Sequence, residues 1–278
     1  MRKLFVLMTL AFAATVLSVA VWAGVGVSPM VTELILPPGS SHEDVIKVTN
    51  SGDEAILVEA SITPFIAPQG VPEFLDPQME HYAYCGHDLF TIEPLEQTIQ
   101  PGETFGFQYR VSMPEELDPY GGRYAAALFR VIPAPTGTQV KVSSQVASLF
   151  LLNPGGGTAP DFSFELLGIR QSVYNPRQII IEGFGENRGN LHMAADQVFG
   201  IVHVVDQDGY IVGEFRAFAH TMLPGKENSH IHEVTWTAPD TLPNGKYLFH
   251  ITIINFTGFR TESSHSHIDA ERQVELRF

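Results

Sequence analysis

A single cysteine, Cys85, stands in the 278 residues, so no disulfide can form within the chain. Cys85 is left to a buried thiol or to pairing between chains. Charge is scarce as well, at 17% of residues against a usual share of about 25%. That excludes long charged tails, coiled coils and extended disorder. Basic residues are the scarcest of the charged types: 16 Lys and Arg face 31 Asp and Glu, a net charge of −15. Such a field repels phosphate backbones and anionic lipid, which excludes nucleic acid as a partner. Catalytic templates are missing too. There is no Gly-x-Ser-x-Gly elbow, no phosphate-cradling Gly-rich loop ahead of a helix and no His-Glu-x-x-His. The sequence therefore reads as a non-enzyme, and it implies no cofactor.

One long apolar run is present, at the start. Arg2 and Lys3 precede an almost wholly apolar stretch from Leu4 to Val21, and Val21-Trp22-Ala23 is a small-residue cleavage site. Residues 1–23 are expected to be a signal peptide, with cleavage after Ala20 or an uncleaved anchor as the alternatives. No second apolar span follows, so the remaining chain is expected to be exported, periplasmic or extracellular, with no membrane span after cleavage.

Past the leader, helical periodicity is nearly absent. Short runs rich in Val, Ile, Phe and Thr alternate with Gly, Pro, Asn and Asp; the chain has 24 Gly and 19 Pro. Many strands at short spacing predict an all-β protein of packed antiparallel sheets rather than βαβ units. The seam falls at Asn153-Pro-Gly-Gly-Gly-Thr-Ala-Pro160, where consecutive glycines cannot sit inside a strand. This divides the chain into an immunoglobulin-like domain at 24–153, a Gly/Pro linker at 154–160 and a second immunoglobulin-like β-sandwich at 161–278. A Pro-rich flap at 63–100 is inserted in the first half, a candidate recognition surface.

The halves share landmarks. Asn50-Ser-Gly52 matches Asn187-Arg-Gly189, Pro101-Gly102 matches Pro224-Gly225, and Gly122-Arg-Tyr124 matches Gly245-Lys-Tyr247. Each proline lies 23 residues before its tyrosine. A common interval between similar landmarks predicts two copies of one plan. The Gly-x-Tyr at a strand start fits a tyrosine corner, in which the phenol bonds backbone upstream.

Val25-Gly-Val-Ser-Pro29, Ile46-Lys-Val-Thr-Asn-Ser-Gly52, Ile99-Gln-Pro-Gly-Glu103 and Tyr120-Gly-Gly-Arg-Tyr124 resemble the N-terminal domain of PapD-like periplasmic pilus-assembly chaperones. Gln145-Val-Ala-Ser-Leu-Phe-Leu-Leu-Asn-Pro154 resembles their last strand before the linker. The resemblance implies two immunoglobulin-like sandwiches and a protein partner in cell-envelope or surface-structure assembly. It also implies an Arg and a Lys that hold a partner's terminal carboxylate, yet the matching positions here are Val31 and Ser148. Along the same strand Gln139, Lys141 and Ser143 are polar in one register. The other register presents Val140, Val142 and Val146, the candidate partner-binding residues.

Histidine is the one enriched chemical type, with eight of eleven beyond the linker. His230 with His232 and His265 with His267 have the i, i+2 spacing that puts two imidazoles on one strand face, and they are candidate metal ligands. His81, Cys85 and His87 form a further cluster. Phe215, Phe218, Phe249, Phe256 and Phe259 suit either a sandwich core or a sugar-stacking platform. A cell-surface adhesion or carbohydrate-binding module, or a His-rich metal-binding protein, is therefore the alternative function.

Overall fold

The computed structural model describes residues 24–78, 82–133, 143–193, 198–217, 221–257 and 264–277. The leader expected over residues 1–23 lies outside them. Among the described residues no helix is long and apolar enough to cross a membrane.

The chain is built of strands and forms two β-sandwiches. In order the first half contributes β1 (Val25–Ser28), β2 (Val31–Ile35), β3 (Ser41–Asn50), β4 (Ile56–Thr63), β5 (Phe65–Ile66) and β6 (Glu73–Phe74). It continues with β7 (Phe90–Glu93), β8 (Glu96–Ile99), β9 (Thr104–Ser112), β10 (Arg123–Pro133) and β11 (Ser144–Asn153). The second half contributes β12 (Phe162–Gln171), β13 (Gln178–Asn187), β14 (Val198–Val205) and β15 (Ile211–Ala217). It closes with β16 (His230–Thr237), β17 (Gly245–Thr257) and β18 (Ser264–Leu276).

The first sandwich packs a sheet of order β1-β3-β9-β7 against one of order β2-β11-β10-β4-β8. The second packs β12-β13-β16 against β15-β14-β17-β18. In both, period-2 alternation turns one set of side chains inward. In β13, for example, Ile179 and Ile181 are fully buried while Gln178 and Ile180 are half-buried. Phe107, Phe129 and Phe150 fill the first core; Phe249, Ile251 and Tyr247 lie in the second.

The first half changes sheet twice at a proline. β1 belongs to one sheet and β2 to the other, with Pro29 between them; β7 and β8 do the same around Pro94. The Pro-rich stretch thus carries no continuous ladder strand, as proline's missing N–H requires. Residues 64–78 and 82–89 are what remains outside the sandwich sheets among the described residues. They pack on the outer face of β10 and β11, where Phe65, Tyr82 and Leu223 of the second half meet Tyr124, Ala126, Leu128 and Leu151. This cover explains why β10 reads as an unbroken apolar run. Ala125, Ala127 and Phe129 face the sandwich core, and the residues between them face the flap.

The repeated landmarks are one device used twice. Asn50 and Asn187 are both buried, and each side-chain carbonyl accepts the N–H of the glycine two residues on, Gly52 at 3.0 Å and Gly189 at 3.1 Å. Each amide group donates to two carbonyls, Glu54 and Ile99 in the first half, Leu191 and Met222 in the second. Each backbone carbonyl accepts from the matching Pro-Gly turn, Gly102 at 2.8 Å and Gly225 at 3.0 Å. Both turn glycines have positive φ, 74° and 94°, which a side chain would strain.

The tyrosine corner is found in one half only. Tyr247 donates to the Pro243 carbonyl at 2.7 Å, closing its own corner. Tyr124 instead accepts the backbone N–H of His192 in the second half at 2.8 Å. The flap and the neighbouring sandwich cover its ring.

Candidate interaction edge and domain junction

Strand β11 has two different edges. On one side it pairs with β10 from Ser144 to Leu152. On the other it pairs with β2, in parallel, from Leu149 to Asn153 only. Among the described residues, no strand is paired with Ser144–Ser148 on their second side. Leu149 donates its N–H away from β10, to the Met30 carbonyl at 2.8 Å. Backbone groups alternate sides along an antiparallel strand, so Gln145 and Ala147 also turn their N–H and C=O outward, to the open side. The five residues offer about 16 Å of strand edge.

The side chains along this edge are apolar or neutral. Val146 is half-buried against the sandwich core; Ala147 packs against the flap cluster. Met30 and Val31, at the start of the strand that takes over the edge, are 69% and 53% exposed. No charged residue occurs in β11, and Glu33 is the one in β2. Ser148 is buried, and its hydroxyl donates to the Pro29 carbonyl at 2.7 Å. Val31 pairs with Leu149, next to Ser148, so the two positions expected to lack an anchoring cation do sit side by side. Of the three candidate valines, Val140 and Val142 lie outside the described residues. Val146 is on the open stretch, with its side chain toward the core.

The end of β11 leads into a pinned connection. Asn153 accepts from Gly155 and Thr158, and Asn190 accepts from Ala159 and donates to the Tyr120 carbonyl. The two sandwiches meet at a buried polar chain. His192, itself buried, stands 3.4 Å by its Nδ1 from the Tyr124 hydroxyl and 3.0 Å by its Nε2 from Glu33. The hydrogen bond from His192 holds the Glu33 carboxyl below the usual carboxylate range, and burial pushes the Tyr124 phenol well up. Beside it Tyr82 donates to the Pro224 carbonyl at 2.9 Å, and Ala67 donates its N–H to Asn228 at 2.6 Å. The flap is thus wedged between the sandwiches as packing, and sequence reasoning had no signal for His192 or Asn228 as its partners.

The metal and sugar candidates are only partly within the described residues. His230 and His232 lie on β16, where His232 is buried over Gly185; an added Cβ there would meet its Nε2 at 2.9 Å. The side chains of His230, His265 and His267 lie outside the described residues, as does His81. Cys85 is buried, with Sγ 3.6 Å from His87 Nδ1. Among the described residues no group of three or more His, Cys, Asp or Glu could hold a metal ion. Phe249 is core, and Phe215 stacks on Trp236 at the core's rim. Phe218 and Phe259 are outside the described residues, and so is the side chain of Phe256.

Neither a protein family nor a curated protein matches the sequence. Solved structures do resemble it. The class 5 fimbriae chaperone CfaA is 12% identical over 90% of this chain and 99% of its own, at a TM-score of 0.43. The E. coli chaperone DraB is 12% identical over 91% and 98%, at 0.41. The Salmonella enterica SafB chaperone, in complex with the SafA pilin, is 13% identical over 88% and 95%, at 0.41.

Proposed function

We propose that this is a non-catalytic exported protein, periplasmic or at the cell surface, that binds another protein in envelope or surface-structure assembly. It does so by accepting an extended segment onto the open edge of β11. The observation that carries this reading is the half-covered edge: β2 satisfies Leu149 to Asn153 and stops, leaving the outward N–H and C=O groups of Gln145 and Ala147 for a second chain. Unpaired strand groups beside apolar, uncharged side chains suit a strand with apolar residues at alternate positions.

Gln145→Pro tests the reading. It removes an outward N–H while leaving the ladder to β10 in place. The expected outcome is an unchanged melting temperature to within about 2 °C, since the site is an exposed edge. Partner recovery from envelope extracts by a crosslinker at position 144 should fall at least tenfold. Undiminished recovery by the proline variant would refute the edge as the binding surface.

A further inference from the structure

Residues of the flap and of the loop between β9 and β10 line a cavity of about 530 Å³, and β11 contributes nothing to it. Tyr82 and Leu89 stand on the flap side, Leu117 on the loop side, and Arg123, the first residue of β10, lines it as well. The flap is stitched to β10 beside Arg123. Tyr124 donates its N–H to the Tyr84 carbonyl and Gly86 donates to the Tyr124 carbonyl, both at 3.0 Å. Gly86 permits this approach, since an added Cβ would meet that of Arg123 at 2.8 Å.

Arg123 is only 5% exposed, and its contacts leave part of its chemistry unused. Nη1 donates to the Gly121 and Gly122 carbonyls at 3.3 and 3.0 Å, and Nη2 donates to the Pro119 carbonyl at 2.8 Å. A guanidinium has five N–H donors. Among the described residues, Nε–H and one Nη2–H therefore have no acceptor, and no carboxylate forms an ion pair with the group. The three carbonyls fix the plane of the guanidinium but carry no net charge. Burial lowers its pKa, as expected of a cation short of counter-charge. Asp88, Glu116 and Asp118 line the same cavity, exposed and out of ion-pair contact with Arg123. One buried cation and several acids at the surface thus face a shared space with apolar walls.

We infer that this cavity binds a free apolar α-amino acid. Arg123 would take the carboxylate on its two remaining N–H groups, and a guanidinium–carboxylate contact is among the strongest hydrogen-bonded pairs. Asp88, Glu116 and Asp118 would face the ammonium group. The same acids repel a ligand that has a carboxylate alone, which makes the site selective for a zwitterion. Tyr82, Leu89 and Leu117 would cover the side chain. The volume lies within the range of about 300–1,000 Å³ usual for small-molecule sites.

Calorimetric titration of the folded protein at pH 7.5 with L-leucine, L-isoleucine and L-phenylalanine tests the inference. At least one should bind with one equivalent per chain. For leucine, two relatives separate the contacts: 4-methylpentanoate keeps the carboxylate and lacks the ammonium, and L-leucinamide does the reverse. Each should bind at least tenfold more weakly than leucine, as expected for the loss of a charge-assisted contact. Arg123→Gln should abolish binding. Because Arg123 also ties down its loop, a second variant carries the test without touching the interior: Asp88→Asn with Asp118→Asn. It should weaken leucine at least tenfold and leave 4-methylpentanoate no weaker than before. Failure of all three amino acids to bind at millimolar concentration would overturn the site. Leucinamide binding as tightly as leucine, or leucine binding unchanged in the double variant, would overturn it equally.

Discussion

The two sandwiches use the same frame and dress it differently. Each hangs a turn on a buried asparagine and ties it to a Pro-Gly turn at almost equal distances. Beyond that frame they diverge. In the first half the outer face of β10 and β11 is roofed by the flap and by the neighbouring sandwich, and one strand edge is left open. In the second, the corresponding sheet carries an acid–histidine row among the described residues. The frame holds each fold, while what lies on each outer face decides what each half can contact.

Asn50→Ala and Asn187→Ala put the shared frame to the strongest test. Each removes the side-chain donor to two carbonyls, Glu54 and Ile99 or Leu191 and Met222, the last of which keeps the Met193 N–H, and strands the glycine N–H of the turn. Losing several buried bonds in one network should cost about 2–4 kcal/mol in either half. Chemical denaturation should show the two losses equal to within about 1 kcal/mol. A loss in one half alone would break the equivalence.

The tyrosines sharpen the divergence at a smaller scale. Tyr124→Phe strands the buried N–H of His192 and should cost about 1–3 kcal/mol, whereas Tyr247→Phe, whose hydroxyl is half-buried, should cost about 1 kcal/mol. Calorimetry separates the roles further. Tyr124→Phe should pull the melting of the two halves apart, because its bond crosses between them. Tyr247→Phe should lower the second half only. Gly122 shows the same asymmetry: a Cβ there would collide with the Tyr124 hydroxyl, while one at Gly245 would sit 3.9 Å from that of Tyr247.

The sheet-forming runs and the paired landmarks were legible because period-2 burial and turn chemistry are local properties. β14 and β17 announce themselves through alternating Val, Ile and Phe. Strand β18 does not: its sequence is mostly polar, Asp269, Glu271, Arg272 and Glu275 are exposed, and it is its pairing with β17 that makes it a strand. The candidate site was half legible. The apolar strand before the linker pointed to β11, but that β2 covers it only from Leu149 onward depends on a parallel pairing between residues more than a hundred positions apart. His192 was invisible as a junction residue for the same reason, and histidines at i, i+2 drew attention to a spacing that places one of them, His232, in the interior.

The smallest expected effect belongs to Glu33, the one charge on the strand flanking the open edge, which reaches across to His192 and has no counterpart in the second half. Its folded pKa lies below the ordinary glutamate value, about 4.3. Stability from this pair is therefore fully present above that value and is lost as pH falls through the lower folded-state value. The carboxyl is half-exposed, so the contribution is under about 1 kcal/mol. Many other carboxylates titrate over the same range, and the comparison with Glu33→Gln removes them. The unaltered protein should be the more stable of the two at pH 6, with the gap closing as the pH falls below the ordinary glutamate value. A gap independent of pH would show that the amide keeps the bond, and that shape rather than charge joins the two halves there.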